Sequence, residues 1–511
     1  MKITLISTST FPSDQGIRTI SAVLKKAGHK VNLVFMTLSE DYSRNYTQKE
    51  LFQLFKICAN SELIGISSFA STSERAARII SFLKRKISVP IVYGGVHATI
   101  SPEDSIKYAD IICIGEGEEA IIDLVNAIIA KKPVNNIKNL WIKTEKGIIK
   151  NPVRPLIDNI DSLPFPDFEI DSHYILERGR IRKFQESDLS GGIFFLTGRG
   201  CPYGCDYCSN SFFNKLYEGK RKKILRWHSP EYIISGILYM KRKFPNLGYF
   251  DIRDDTFSLR SLEDIKNFCT LYKEKVHMRF KCLTDPKTTS DEKIRLLVDA
   301  GCTDIIMGIQ GSERTNKEIY HRNQQNADVL QASKVLNKYK DKLAVMYDVI
   351  TCNPYEKPED IMSLIHLLQR IPKPYFLSVN NLVFFPGSQL YKKAIQDKVI
   401  KSEKDTASKL NYWDRSKHIL LKRKNIYLNL ILNLMRGSVN ERRFGFLPNP
   451  LLNWLLKAER VRKNLKNPFP SMIVLRIVGF YDLIRERIMK PAYRSLPVSF
   501  KIWYDKTRYK V

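Results

Sequence analysis

The chain has 511 residues, enough for two to four domains of ordinary size, and its 43% hydrophobic and 11% aromatic content is ample for real cores. No run of 18 apolar residues occurs, so no transmembrane helix is expected, and the opening MKITLISTST does not read as a secretory leader. The net charge of +30 points to an anionic partner or to a generally Lys-rich proteome, and nine cysteines without a leader point to a reducing cytosol, where clustered cysteines are metal ligands more often than disulfides.

The first 130 residues alternate apolar runs with helical spacing. MKITLIST (1–8), HKVNLVFM (29–36), LIGISSFA (63–70), PIVYGGVHA (90–98) and ADIICIGEG (109–117) read as strands. Residues 17–27 read as a helix stopped by Gly28. Near-continuous apolar strands predict a parallel sheet covered on both faces, a Rossmann-like α/β domain over 1–135. Ligands of such sheets bind at the strand C-termini, here the loops SSFASTS, GGVHAT and GEGE. The adjacent Gly94 and Gly95 allow close backbone approach to a ligand. Residues 136–188, rich in Pro, Asn and charge, read as a linker.

GGIFFLTGRG (191–200) is a strand-like run ending in glycines, and RGCPYGCDYC (199–208) follows. Cys201, Cys205 and Cys208 lie within eight positions, on a loop after a strand. Four thiolates would close a [4Fe–4S] cluster; three leave one iron open for chemistry. Zinc fits poorly, because no close His or further cysteine completes a tetrahedron, and His228 is far in sequence. The other cysteines, among them Cys302, sit singly among apolar neighbours and read as small buried hydrophobes.

Further strands are predicted at 247–257, 278–285, 303–315, 342–356 and 374–390, separated by helical stretches such as 291–300. With the cysteine-loop strand they make six, which suits a partial (β/α)6 barrel over 189–400 with polar residues facing the site at strand ends. Beyond 400 lies a basic, mostly helical domain, 401–511. Its helices are KNIYLNLILNLMR (424–436), NPLLNWLLKAERVRK (449–463) and SMIVLRIVGFYDLIRERIMK (471–490). A cap over the barrel mouth is the first reading of them, and a segment resting on an anionic membrane surface is the second. No RNA-binding motif is visible, so no specific nucleic acid is predicted.

The spacing CxxxCxxC, with Tyr207 before the third cysteine, resembles the radical S-adenosylmethionine superfamily. The N-terminal loops resemble the cobalamin-binding domain of its cobalamin-dependent subclass, the class B methyltransferase-like enzymes. The resemblance implies three cofactors: a [4Fe–4S] cluster held by Cys201, Cys205 and Cys208, S-adenosylmethionine, and cobalamin. RDDTF resembles the family's contact to the cofactor amino group, so Asp254 and Asp255 are carried over. GIQGSER places Gln310 and Glu313 near the cofactor ribose and carboxylate, whereas NPYE stands where GxPGE is usual. Ser67, Ser68, Gly94 and Gly95 are carried over to the cobalamin tail, with His97 beside them. Phe11 and Ser13 stand where DxHxxG would place its Asp and His, which implies a cobalt without a His ligand from that loop.

The implied activity is methylation of an unactivated carbon or phosphorus by way of a 5′-deoxyadenosyl radical, on an unknown small-molecule or lipid-like substrate. An external one-electron donor of the flavodoxin or ferredoxin type is implied. The alternative on this chassis is radical cyclisation or ring rearrangement. The non-enzymatic alternative, an electron-transfer or cobalamin-carrier protein, is disfavoured by the open iron. The expected location is cytoplasmic, with peripheral contact at the inner membrane face as the variant.

Overall fold

The computed structural model describes residues 1–38, 44–189, 191–219, 223–401 and 423–484. They divide into two compact units. The first comprises Met1–Asp255, Thr270–Phe280 and 384–401; the second comprises Thr256–Cys269, Lys281–Val383 and 423–484.

The first unit is built on a nine-stranded sheet. Its strands are β1 (Lys2–Ser7), β2 (Lys30–Phe35), β3 (Leu63–Ser67), β4 (Ile91–Gly94), β5 (Ile111–Cys113), β6 (Leu140–Thr144), β7 (Gly147–Lys150), β8 (His173–Glu177) and β9 (Arg180–Lys183). The order is β7-β6-β5-β4-β3-β1-β2-β8-β9. β1 to β5 are mutually parallel, and their apolar side chains are buried because helices cover both faces. The helix predicted over 17–27 spans Gln15–Lys26, with Gly28 in the left-handed region just beyond it.

The stretch read as a linker departs from that reading. It carries β6–β7 and β8–β9, two antiparallel hairpins that complete both edges of the sheet. The linker also holds LPFPDF (163–168), whose end is clasped by the first helix. Arg18, fully buried, donates to Asp167 O at 2.6 Å and to Pro12 O at 2.7 and 3.0 Å, and stacks on Phe35 and Phe168. The Asp167 carboxylate takes Ser21 Oγ at 2.5 Å and Lys25 Nζ at 2.7 Å.

All six strands expected of the barrel are present, and helices alternate with them in chain order. They are β10 (Gly191–Phe195), β13 (Leu247–Ile252), β14 (Arg279–Thr284), β15 (Cys302–Gln310), β16 (Ala344–Thr351) and β17 (Tyr375–Asn381). Between the first two lies a small ribbon, β11 (Gly198–Arg199) paired with β12 (Arg226–Trp227). In the first unit β10 and β13 pair in parallel; in the second, β15, β16 and β17 do.

The C-terminal region belongs to the second unit as far as it is described. Helix Ile426–Met435 is buried almost all round, packing against helix Pro358–Arg370 and β17. Asn425, Asn429 and Asn433 lie one turn apart on it, all fully buried. Asn429 Oδ1 accepts from Thr351 Oγ1 and from Cys352 N at 2.9 Å, closing the end of β16. Three short strands follow, β18 (Gly437–Val439), β19 (Arg443–Phe444) and β20 (Leu447–Pro448), and β18 pairs antiparallel with β17. The described part thus extends a sheet edge and its helix layer, rather than standing apart as a cap. The helix expected over 449–463 is two, Asn449–Leu455 and Ala458–Lys466. The last spans Phe469–Ile484; residues 485–490 of that expectation lie outside the described residues.

Candidate active site

The cysteine loop is held by its neighbours on both sides. Gly200 sits at φ 90°, and a Cβ there would overlap the Ile224 carbonyl, so the turn into Cys201 requires glycine. Asn214 Nδ2 donates to Cys201 O at 3.1 Å and Tyr203 O at 3.2 Å. Cys208 N donates to Cys205 O at 3.0 Å, and Cys208 caps helix Ser209–Leu216, its Sγ accepting from Asn210 N at 3.5 Å. Cys201 and Cys205 are buried, while Cys208 and Tyr207 are partly exposed.

Burial pushes the Cys201 thiol up to about 12, and negative charge at Asp255, Cys208 and Cys205 adds to the rise. Three thiolates and a carboxylate therefore repel one another unless a cationic group lies among them, which is the donor chemistry an iron–sulfur cluster needs. Among the described residues no three His, Cys, Asp or Glu side chains are placed to hold a single metal ion. A cluster spreads its thiolates over separate irons and does not require that convergence.

The two aspartates of RDDTF have different surroundings. Asp254 is buried, and its carboxylate accepts from Thr197 N at 2.6 Å, Gly198 N at 3.1 Å and Thr197 Oγ1. It ties the end of β10 to the end of β13. Asp255 is solvent-accessible. Burial raises its carboxyl, while a bond from Asn210 lowers it.

In the second unit Gln310 ends β15 at φ 66°, where the register with β16 slips by one residue. A Cβ on Gly308 would overlap the Gln310 amide, so that glycine makes room for it. Cys352, just past β16, is also left-handed at φ 59°. Strained residues at adjacent strand ends are characteristic of functional sites. Glu313 is exposed, and its carboxylate accepts from Asn326 N at 2.9 Å at the start of helix Asn326–Asn337. Glu356 of NPYE is buried and accepts from Thr315 Oγ1 at 3.1 Å; burial pushes its carboxyl up to about 8.

At the parallel strand ends of the N-terminal sheet, Gly95 lies at φ 88°, with Ser67 Oγ and the Ser68 backbone where a Cβ would stand. The serine and Gly-Gly loops thus touch, and His97 N donates to Ser68 O at 3.1 Å. Ser68 Oγ is bonded to Tyr93 OH at 2.6 Å. His97 is buried, with Nε2 3.6 Å from Asp104 and Nδ1 without a hydrogen-bond partner among the described residues. Ser13 is buried, whereas Phe11 is exposed and packs edge-on against Phe194 at 4.8 Å. Phe69 is also exposed, so two apolar rings are presented where β1 and β3 end. Sequence reasoning passed over Phe69, Thr197 and Asn214. For the last two no local signal exists, because their partners lie 57 and 11–13 residues away.

Comparison with known proteins follows this division. Residues 1–125 match the model of the B12 binding domain, and residues 195–368 match that of the Radical SAM superfamily. The chain is 25% identical over 347 residues to the uncharacterized methyltransferase PH0819 of Pyrococcus horikoshii, covering 66% of this chain and 70% of that protein. It is 26% identical over 216 residues to the anaerobic magnesium-protoporphyrin IX monomethyl ester cyclase of Synechocystis, covering 40% of each. The fold resembles that of the radical S-adenosylmethionine methyltransferase TsrM from Kitasatospora setae, with a TM-score of 0.61 at 15% identity over 78% of this chain and 76% of that one.

Proposed function

Because this chain is an enzyme of the radical S-adenosylmethionine superfamily and carries a B12-binding domain, we propose that it transfers a methyl group to an unactivated carbon or phosphorus of its substrate. Its cofactors are a [4Fe–4S] cluster, S-adenosylmethionine and cobalamin. When bound, they supply a carbon-radical initiator and a methyl group. The observation that carries the reading is the pinned loop on which Cys201, Cys205 and Cys208 lie with Asp255 close to Cys201.

Each residue has its own share in this reading. The three cysteines hold the cluster, and Tyr207 shapes the turn before the third. Asp255 takes the amino end of S-adenosylmethionine, while Asp254 positions it by fixing the adjoining strand ends. The family resemblance assigns Gln310 and Glu313 to the ribose and carboxylate of S-adenosylmethionine. Ser67, Ser68, Gly94, Gly95 and His97 line the cobalamin tail, and the Phe11 ring supplies no metal-binding nitrogen. An external one-electron donor of flavodoxin or ferredoxin type completes the system.

The test is anaerobic incubation of reconstituted protein with dithionite and S-adenosylmethionine carrying a deuterated methyl group. Release of 5′-deoxyadenosine together with transfer of the label to cobalamin is expected. The likeness to the cyclase supports a second reading, radical cyclisation. Release of 5′-deoxyadenosine without labelled cobalamin would select it.

The C-terminal region bears on the substrate. Among the described residues no helix is long and apolar enough to cross a membrane. Helix Phe469–Ile484 buries Leu475 against Ile426 and Leu430 but exposes Phe469, Ile473 and Ile477, one turn apart, beside Arg476. Residues 423–484 hold eleven Lys and Arg against three Asp and Glu. An apolar stripe in a basic surround matches an anionic bilayer surface and a lipid-like substrate. The full chain is expected to sediment with phosphatidylglycerol vesicles but not phosphatidylcholine vesicles, and Ile473→Asp with Ile477→Asp to abolish this. Equal binding to both, or to neither, would refute the contact.

A further inference from the structure

The loop after β5, Gly115–Glu118, reaches both flanks of the cysteine loop. On the upstream side is Arg199, two residues before Cys201. Its Nη1 donates to Glu116 Oε1 at 3.0 Å and its Nη2 to Glu118 Oε1 at 2.6 Å. Arg226, its partner across the β11–β12 ribbon, meets Glu116 Oε1 at 2.9 Å and Oε2 at 3.1 Å. On the downstream side is Tyr217, at the end of the helix that Cys208 caps, and its hydroxyl accepts from Glu116 N at 2.9 Å. Gly115 lies at φ 76°, and a Cβ there would overlap that hydroxyl.

The same loop is bonded toward the Gly-Gly turn. Gly115 N donates to Thr99 Oγ1 at 3.0 Å, and Thr99 Oγ1 donates to Gly95 O at 3.0 Å. An unbroken series of bonds therefore runs from Gly95 to the residues on either side of Cys201 and Cys208. Two carboxylates and two guanidiniums balance within it, and the Glu118 and Arg226 side chains are only 7% and 6% exposed. Pairs so far removed from water hold their geometry far better than surface pairs.

We propose that Gly115–Glu118 is a positioning clamp that seats the cluster loop against the cobalamin-binding loops, so that cobalamin affinity and cluster seating are energetically linked. The proposal rests on the cofactor assignment above. Glu116, Glu118, Arg199, Arg226 and Tyr217 are positioning residues; they act through the cysteine loop. Linkage is reciprocal, so a cluster that orders this loop tightens cobalamin binding by the same factor that cobalamin tightens cluster seating.

The experiment uses the full chain with and without a reconstituted cluster. Hydroxocobalamin affinity is measured in both forms, and the electron paramagnetic resonance spectrum of the reduced cluster is recorded with and without cobalamin. The wild type is expected to bind hydroxocobalamin about fivefold or more tightly when the cluster is present. In Glu118→Gln and in Tyr217→Phe, which removes one hydroxyl, that ratio should fall toward one at unchanged iron content, and the cluster g-values should shift even without cobalamin. A wild-type ratio of one, or variants that keep both the ratio and the g-values, would overturn the clamp. Absence of hydroxocobalamin binding in both forms would instead overturn the cofactor assignment. The g-values of the two variants would still decide the clamp, since values identical to wild type count against it.

Discussion

Replacing any one of Cys201, Cys205 and Cys208 with Ala is expected to abolish cluster incorporation and to lower 5′-deoxyadenosine release at least about a thousandfold, because ligands that act as a unit fail together. In the proposed cluster each thiolate would take a separate iron, so two could not do the work of three. Cys302→Ala is the matched control. Cys302 begins β15 and Cys282 lies in β14; their sulfurs are 4.0 Å apart, both fully buried, and burial raises the neighbouring Cys269 thiol. Such thiols are inert core groups. Cys302→Ala should keep full iron content and full release. Iron and sulfide analysis with product quantitation checks this, and loss of the cluster in Cys302→Ala would show the ligand set to be misassigned.

The second large effect concerns stability. Arg18→Leu is expected to cost about 3–5 kcal/mol, because two carbonyls lose their buried donor at about 1–3 kcal/mol each. The substitution leaves Pro12 O and Asp167 O without their donor and strips the cation from the Phe35 and Phe168 rings. Burial pulls the Arg18 guanidinium down to about 9, so it stays charged at neutral pH. Asp167 supplies the pH dependence. Burial raises its carboxyl, but bonds from His173, Lys25 and Ser21 outweigh this and hold it below the usual carboxylate range. His173 is itself pushed down by burial, so at neutral pH it serves Asp167 as an N–H donor, and the charge partner is Lys25. A depressed carboxyl contributes stability that is present above its unfolded value, near 3.9, and is lost as pH falls below it. The gap in unfolding free energy between wild type and Asp167→Asn should therefore be widest at neutral pH and shrink in acid. Urea denaturation at pH 7 and pH 3 measures it. A cost below about 1 kcal/mol for Arg18→Leu would put this clasp among ordinary surface contacts.

The parts of the molecule legible in the sequence are those whose cause is local. Buried parallel strands announce themselves as apolar runs, and Gly28 ends its helix because its own φ is positive. The cysteine loop is legible because its three cysteines lie within eight positions. The hairpins at 140–150 and 173–183 were hidden by charge: KTEKGIIK offers little alternation, since its outer face is solvent-exposed at a sheet edge. Asp254 resembles a cofactor contact in a one-dimensional reading, and only the fold brings Thr197 and Gly198 to it. Helix Ile426–Met435 looks uniformly apolar until the spacing of Asn425, Asn429 and Asn433 meets the end of β16. The left-handed Gln310 carries no residue signal at all, because the slip in register that demands it is a property of two strands together.

The pairing of β17 with β18 has a consequence for how this protein can be divided. A chain cut near residue 400 would lose the antiparallel partner of Tyr375–Leu377 and the amide that closes the end of β16. What remained would present a bare strand edge, a template for indiscriminate association between molecules. The C-terminal region is therefore no detachable appendage. An exchange of such regions between relatives would have to preserve both the pairing of β17 with β18 and the amide at the end of β16.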